Sequence, residues 1–265
     1  MKKGGKDSRP ELVFNRRILP NSERSQTTVF VIIGILLFII ILGFVFLKTS
    51  ENLSFLSQNR IPMEVQPVYD SIDSCVYQRT VDAIRLIGLQ GGYVIIKNFY
   101  VETELTNVSY GYYNKKKILA SKQEIEKEIE FYLENVLSYC VNPDYFPGHE
   151  IIIEKEDIDV KINNGFVFVS ADMPMSVKKQ DETFVIDKKY QHEIPVKLGK
   201  IHDVAEEIIN KEIENPGYID ITYISNLEFD VLFIPYDDDT IVYSITDDSS
   251  VNEIPYTFLF AMDIK

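Results

Sequence analysis

Apolar positions run along this chain with three different periods, and where the period changes the predicted element changes with it. From Val29 to Leu47 there is no period, because every side chain in the run is apolar or glycine. A helix of that length, at about 1.5 Å per residue, covers roughly the 30 Å hydrocarbon core of a bilayer. Backbone in lipid has to satisfy its own hydrogen bonds, so such a run is helical whatever its β-branched content. A secretory signal has a shorter apolar core, about 7 to 15 residues, ahead of a small-residue cleavage site. Here the run is longer and passes into Lys48-Thr49-Ser50-Glu51-Asn52. A buried helix of a globular core would show a polar face, and this one has none. Residues 26–48 are therefore predicted to be a transmembrane helix, preceded by a tail over 1–25 and followed by a stalk over 49–62 that Pro62 ends.

Beyond the stalk the period becomes helical. Val65, Val68, Ile72, Cys75, Val76, Ala83, Ile84, Leu86 and Ile87 lie close to a 3.6-residue repeat, and Gly91-Gly92 closes the helix. The sequence Gly88-Leu89-Gln90-Gly91-Gly92 runs from helix into strand, the reverse of a phosphate-binding loop, and reads as a helix stop. Tyr93 to Val101 is predicted as a strand, and Tyr100, Tyr110, Tyr112 and Tyr113 gather around a second one. Tyrosine favours half-buried sheet, and that reading outweighs a sugar-stacking patch. Ser121-Lys122-Gln123-Glu124 is a capping box. It opens a helix with Ile125, Ile129, Tyr132, Leu133, Val136, Leu137 and Cys140 on one face and Glu126, Lys127, Glu128, Glu130 and Glu134 on a face expected to be solvated. Asn142-Pro143 stops it, and Phe146-Pro147-Gly148 marks a seam between a helix-rich part, 63–148, and a strand-rich part, 149–265.

After the seam the repeat shortens to two. Ile158, Val160 and Ile162 alternate with Asp159 and Lys161, and Asn164-Gly165 turns the chain so that Ile162 faces Val167 and Val160 faces Val169. Phe184 to Leu198 is predicted as one long strand, with His192 among its apolar residues as a hydrogen-bonded sheet residue. A short helix over Ile201 to Ile213 closes at Asn215-Pro216-Gly217, and strands are expected over Tyr218–Ile224, Leu227–Ile234, Thr240–Thr246 and Tyr256–Ile264. Together these predict an N-terminal transmembrane helix followed by an extracytoplasmic α+β domain with largely antiparallel sheet.

Charge adds an orientation. Residues 1–25 carry seven basic side chains and three acidic ones, leaving 20 of the 27 basic and 38 of the 41 acidic residues for the rest. Lysine and arginine near a membrane end stay on the cytoplasmic side, so the tail is expected inside and the acidic domain outside, a type II single-pass arrangement. The acidic excess excludes nucleic acid as a partner. Cys75 and Cys140 both fall outside, where disulfides persist, and each sits on the apolar stripe of a predicted helix, so a bridge between them is expected. Asn52-Leu53-Ser54 and Asn107-Val108-Ser109 are possible glycosylation sequons.

The chain carries no Gly-x-Ser-x-Gly, His-Glu-x-x-His, Cys-x-x-Cys or P-loop sequence. His149, His192 and His202 have no ligand spacing, and Asp237-Asp238-Asp239 and Asp247-Asp248 lack the pattern of a calcium loop. No catalytic, cofactor-binding or metal residue is assigned, and no enzyme is expected.

Two resemblances extend the reading. Arg24-Ser25-Gln26-Thr27-Thr28-Val29-Phe30, a basic tail running directly into an apolar helix, resembles the class III signal of archaeal type IV pilin-like proteins, which would imply processing between Ser25 and Gln26. That family usually has Gly or Ala at the position of Ser25 and often Glu at that of Phe30. Asp73-Ser74-Cys75, Leu86-Ile87-Gly88-Leu89-Gln90-Gly91-Gly92-Tyr93 and Phe258-Leu259-Phe260-Ala261 resemble uncharacterised single-pass membrane proteins of small-genome archaea. The expected role is binding or scaffolding at the cell surface, with the lipid bilayer and protein partners or further copies of the chain as its contacts. A filament subunit processed before Gln26 is the alternative.

Overall fold

The computed structural model describes residues 30–41 and 61–265, apart from 98, 252 and 253. The chain divides into two units, residues 1–60 and 61–265. In the first, residues 30–41 form a helix, α1, whose every residue is exposed. The expected span 26–48 is described only over that stretch, and the tail 1–25 and the stalk up to residue 60 lie outside the described residues. Among the described residues no helix is long and apolar enough to cross a membrane.

The second unit is an α+β domain with mostly antiparallel sheets. In chain order it comprises α2 (Gln66–Leu89), β1 (Tyr100–Glu102), β2 (Asn107–Tyr113), β3 (Lys116–Lys117), α3 (Lys122–Val136), β4 (His149–Ile153), β5 (Asp157–Ile162) and β6 (Val167–Asp172). It continues with β7 (Met175–Lys179), β8 (Glu182–Ile186), β9 (Tyr190–Ile194), α4 (Leu198–Glu214), α5 (Ile221–Ser225), β10 (Asp230–Pro235), β11 (Thr240–Val251) and β12 (Ile254–Asp263).

Helix α2 is the axis of the domain. Its start is marked by Pro67 and its stripe of Val68, Ile72, Val76, Ala83, Ile84 and Ile87 is buried against α3, β9 and β12. Gly88 makes the last contact possible, since a Cβ there would lie 2.4 Å from the Thr257 carbonyl oxygen and 2.9 Å from the Tyr256 hydroxyl. Helix α3 begins as its capping box requires: the Glu124 N–H donates to Ser121 Oγ at 3.3 Å and the Ser121 N–H to Glu124 Oε2 at 2.7 Å. Past Val136 the helix tightens into a 3-10 segment, Leu137–Val141, which carries Cys140 to α2. There it forms the expected disulfide with Cys75, Cα to Cα 5.8 Å.

One sheet is six-stranded, in the order β1-β2-β12-β11-β10 with β3 added on β2. Its ladders are antiparallel except that between β12 and β2, which is parallel and joins Ala261 to Tyr110 and Met262 to Tyr112. The sheet therefore draws strands from both sides of the Phe146-Pro147-Gly148 seam. One face buries Tyr243, Ile245, Phe258, Phe260 and Met262 in the main core beneath α2 and α4.

The other two sheets, β4-β7-β8 and β5-β6-β9, are built from the same three chain segments, each giving one strand to each sheet. The β5-β6 hairpin has the register expected from its alternation, Ile162 opposite Val167 and Val160 opposite Val169, closed by Asn163 N–H to Phe166 O at 2.9 Å. Between β6 and β7 lies Met173-Pro174, and proline has no N–H to continue a ladder. The neighbouring segments break at the same level, so the single strand expected over Phe184–Leu198 is β8, then Asp187-Lys188-Lys189, then β9, with Leu198 already in α4.

Two further expectations are corrected. Among the described residues of Tyr93–Val101, only Tyr100 and Val101 join a ladder, and the Val94 N–H goes to Glu128 Oε2 at 2.9 Å instead of to a strand. Tyr218–Ile224 is not a strand: Asp220 Oδ1 accepts from the Tyr223 N–H at 3.0 Å and caps the single-turn helix α5.

Candidate functional site

The glutamates of α3 are the first place where the structure departs from the expected polar surface. Glu126 Oε1 accepts the Ile162 N–H at 2.9 Å and Glu130 Oε1 accepts the Val160 N–H at 3.1 Å. Strand β5 is the outer strand of its sheet, and its outward N–H groups recur every two residues, about 6.6 Å apart. Four residues of helix advance about 6 Å, so glutamates at i and i+4 match that spacing. The face taken for solvated thus holds a sheet edge, and the Glu126 side chain is only 15% exposed.

A recess of about 220 Å³ is lined by Tyr93, Ile96, Lys97, Phe99, Ser109, Ile118 and Glu128. Two glycines shape its approach: Gly91, at φ +72°, and Gly92, at φ +102°, turn the chain off the end of α2 into residues 93–97. Phe99 stacks on Tyr113 with ring centres 4.3 Å apart, Tyr113 leans on Tyr110 at 4.9 Å, and the Tyr110 hydroxyl is 3.0 Å from Thr240 Oγ1. Burial, then the charges of Glu124 and Glu128, hold the Tyr93 phenol protonated above the usual tyrosine range. The recess offers aromatic edges, one ammonium, one carboxylate and the Ser109 side chain, a set suited to holding an amphiphilic group. Of the tyrosines singled out in the sequence, Tyr110 and Tyr112 are buried and serve the sheet, while Tyr100 is 41% exposed.

The face of the large sheet turned away from the main core is also apolar. Leu232 and Ile234 on β10 stand opposite Ser244 and Val242 and are 62% and 51% exposed. Alongside, Val101, Val108, Tyr110, Val242 and Ala261 make a second, smaller apolar cluster. Strand β10 pairs with β11 alone among the described strands, so its outer edge is open.

The histidines are dispersed. His192 sits in β9 with its ring edge-on to Tyr77 and Nε2 3.2 Å from Asp73 Oδ1, but that nitrogen is buried without a hydrogen bond, so of the expected hydrogen-bonded sheet residue the strand position holds and the hydrogen bond does not. His149 begins β4 with both ring nitrogens buried and unbonded. His202, on α4, has Nε2 2.7 Å from the Ala120 carbonyl oxygen, and burial before all else lowers its pKa. It lies beside Asp203 and Glu206, and one ligand atom from each of the three falls within 4.8 Å of the others. The Asp237-Asp238-Asp239 turn is held by Asp239 N–H to Asp237 Oδ1 at 2.9 Å and by Lys265 on Asp239.

Asn107 is exposed at the first position of β2, while Asn52, Ser25 and Gln26 lie outside the described residues. Neither the recess nor the α3 glutamate pair was foreseen from sequence. The four-residue spacing of Glu126 and Glu130 was the available signal for the pair. Compared with protein-family models, curated proteins and solved structures, the chain matches none.

Proposed function

We propose that this chain is a single-pass membrane protein whose α+β domain stands outside the cytoplasm and works by contact, binding or scaffolding at the cell surface. The observation that carries this reading is a disulfide-closed domain, Cys75 to Cys140, following an uninterrupted apolar run from Val29 to Leu47. The basic residues before that run and the acidic excess after it supply the orientation. The half-exposed apolar sheet face around Leu232 and Ile234 and the aromatic recess are the contact surfaces on this reading. Asn107 is an acceptor for a glycan, since its side chain is exposed and the domain faces outward.

Protease treatment of intact cells carrying a tag after Lys265 tests the arrangement. The tag is expected to be lost without lysis, and its survival until the cells are opened rejects the proposal. The junction Arg24-Ser25-Gln26-Thr27 favours a second reading, a pilin-like subunit whose anchor helices pack together after processing. Mass spectrometry of the native protein separates the two: the mature chain begins at Gln26 in a processed subunit and near Met1 otherwise.

A further inference from the structure

Helix α4 carries a set of side chains that the contact reading does not use. His202 is 5% exposed; Glu206 at i+4 shares its face of the helix, Asp203 is the next residue, and all three meet the segment Lys117–Lys122, through Ala120, Lys117 and Lys122 respectively for His202, Glu206 and Asp203. The His202 Nε2 contact with the Ala120 carbonyl oxygen decides the tautomer. A carbonyl can only accept, so Nε2 carries the proton and Nδ1 keeps its lone pair. That Nδ1 is buried and has no hydrogen-bond partner. A buried acceptor left unpaired is costly, and an imidazole fixed through its other nitrogen by a backbone carbonyl is the usual arrangement of a metal-bound histidine.

We propose that His202 Nδ1 and the carboxylates of Asp203 and Glu206 form a site for one divalent first-row transition ion, Zn²⁺ foremost, with water completing the coordination. One ligand atom of each residue already lies within 4.8 Å of the other two, and the side chains close in by about an ångström to reach the roughly 3.4 Å edge of a tetrahedral zinc shell. The nitrogen donor selects against Ca²⁺ and Mg²⁺, which take oxygen, and the Irving–Williams order favours Zn²⁺ over Mn²⁺ and Fe²⁺. The carboxylates are held meanwhile by lysines, Asp203 by Lys122 at 2.7 Å and Glu206 by Lys117, which also reaches Asn210 Oδ1 at 3.5 Å. With Asp203 55% and Glu206 42% exposed, these are solvent-accessible pairs that an ion can replace. The two ammonium groups are placeholders and also competitors.

The test is calorimetric titration of the full chain in detergent with ZnCl₂ in the presence of excess Ca²⁺. One equivalent is expected to bind, weakened about tenfold or more by His202→Gln and by the paired exposed changes Asp203→Asn and Glu206→Gln. The double change Lys117→Met and Lys122→Met is expected to tighten binding several-fold, because it removes the competing cations. Co²⁺ in place of Zn²⁺ should give visible d–d absorption that His202→Gln abolishes. Should Zn²⁺ fail to bind, bind in many equivalents, or bind equally to the Asp203→Asn, Glu206→Gln protein, the site does not exist. A lysine double variant that folds but binds no more tightly overturns the proposal as well.

Discussion

At the scale of single residues, the consequential side chains are those whose polar atoms had to find a partner inside the domain. Burial in the flank of α4 keeps the His202 ring neutral, with its pKa below the ordinary value of 6.5. The unfolded chain therefore binds more protons than the folded one as pH falls through about 6.5, and stability is lost in that window until the depressed folded pKa is passed. Glu156 works in the opposite sense, since burial and then the Glu134 charge raise its carboxyl pKa, so that acid favours its folded form. The difference between wild type and His202→Gln isolates the first effect, because glutamine can still donate to Ala120. Urea midpoints at pH 7.5 and 5.5 should fall more steeply with acid for wild type than for His202→Gln. Parallel lines would show that His202 titrates normally. Buried tyrosines behave similarly without consequence near neutrality: burial, with a contribution from the Glu212 charge, has the Tyr243 phenol pushed up to about 12.

At the scale of elements, α3 does two jobs with two faces. Ile125, Ile129 and Leu133 fill the core, and Glu126 and Glu130 cap the open edge of β5 through its Ile162 and Val160 N–H groups. Replacing Glu126 and Glu130 together by alanine strips both acceptors and re-exposes the edge. The expected cost is about 1 to 3 kcal/mol by urea denaturation, with Ile162 and Val160 amides exchanging faster than the inner β6 amides. The same changes made at Lys127 and Asn135, which carry no edge contact, should cost under about 0.5 kcal/mol. Equal losses in both pairs would mean that helix propensity, and not the edge, is being measured.

At the scale of the whole molecule, the disulfide ties α2 to the end of α3 across a sequence separation of 65 residues. The chain-entropy account assigns closure of such a loop about 4 kcal/mol. Reduction, or the double change Cys75→Ser and Cys140→Ser, should lower stability by about 2 to 4 kcal/mol while leaving the far-ultraviolet circular dichroism of the folded state unchanged. A reduced domain as stable as the oxidised one would mean that the core alone, with α2 at its centre, supplies the cohesion. The acidic balance belongs to this scale too: it bears on partners and solubility and leaves the fold undetermined.

The amino-acid sequence determined whatever could be settled within a few turns or one hairpin. The stripe of α2, the Ser121–Glu124 cap of α3, the pairing of Ile162 with Val167 and the apolar run before residue 48 all follow from spacing alone. The cysteine pairing was legible as well, because two thiols on two apolar stripes admit one bridge. Tertiary structure decided the rest. Only packing brings β2 alongside β12, some 150 residues later, in a parallel ladder, and only the ladder's interruption at Pro174 breaks Phe184–Leu198 into two strands. The residues of the recess, and the meeting of Glu126 and Glu130 with the edge of β5, are likewise gathered from separate elements, whereas His202, Asp203 and Glu206 are neighbours on α4 and only their burial and contacts were undecided by the sequence. Local propensity acts through neighbours in the chain, whereas a sheet edge or a recess is defined by neighbours in space.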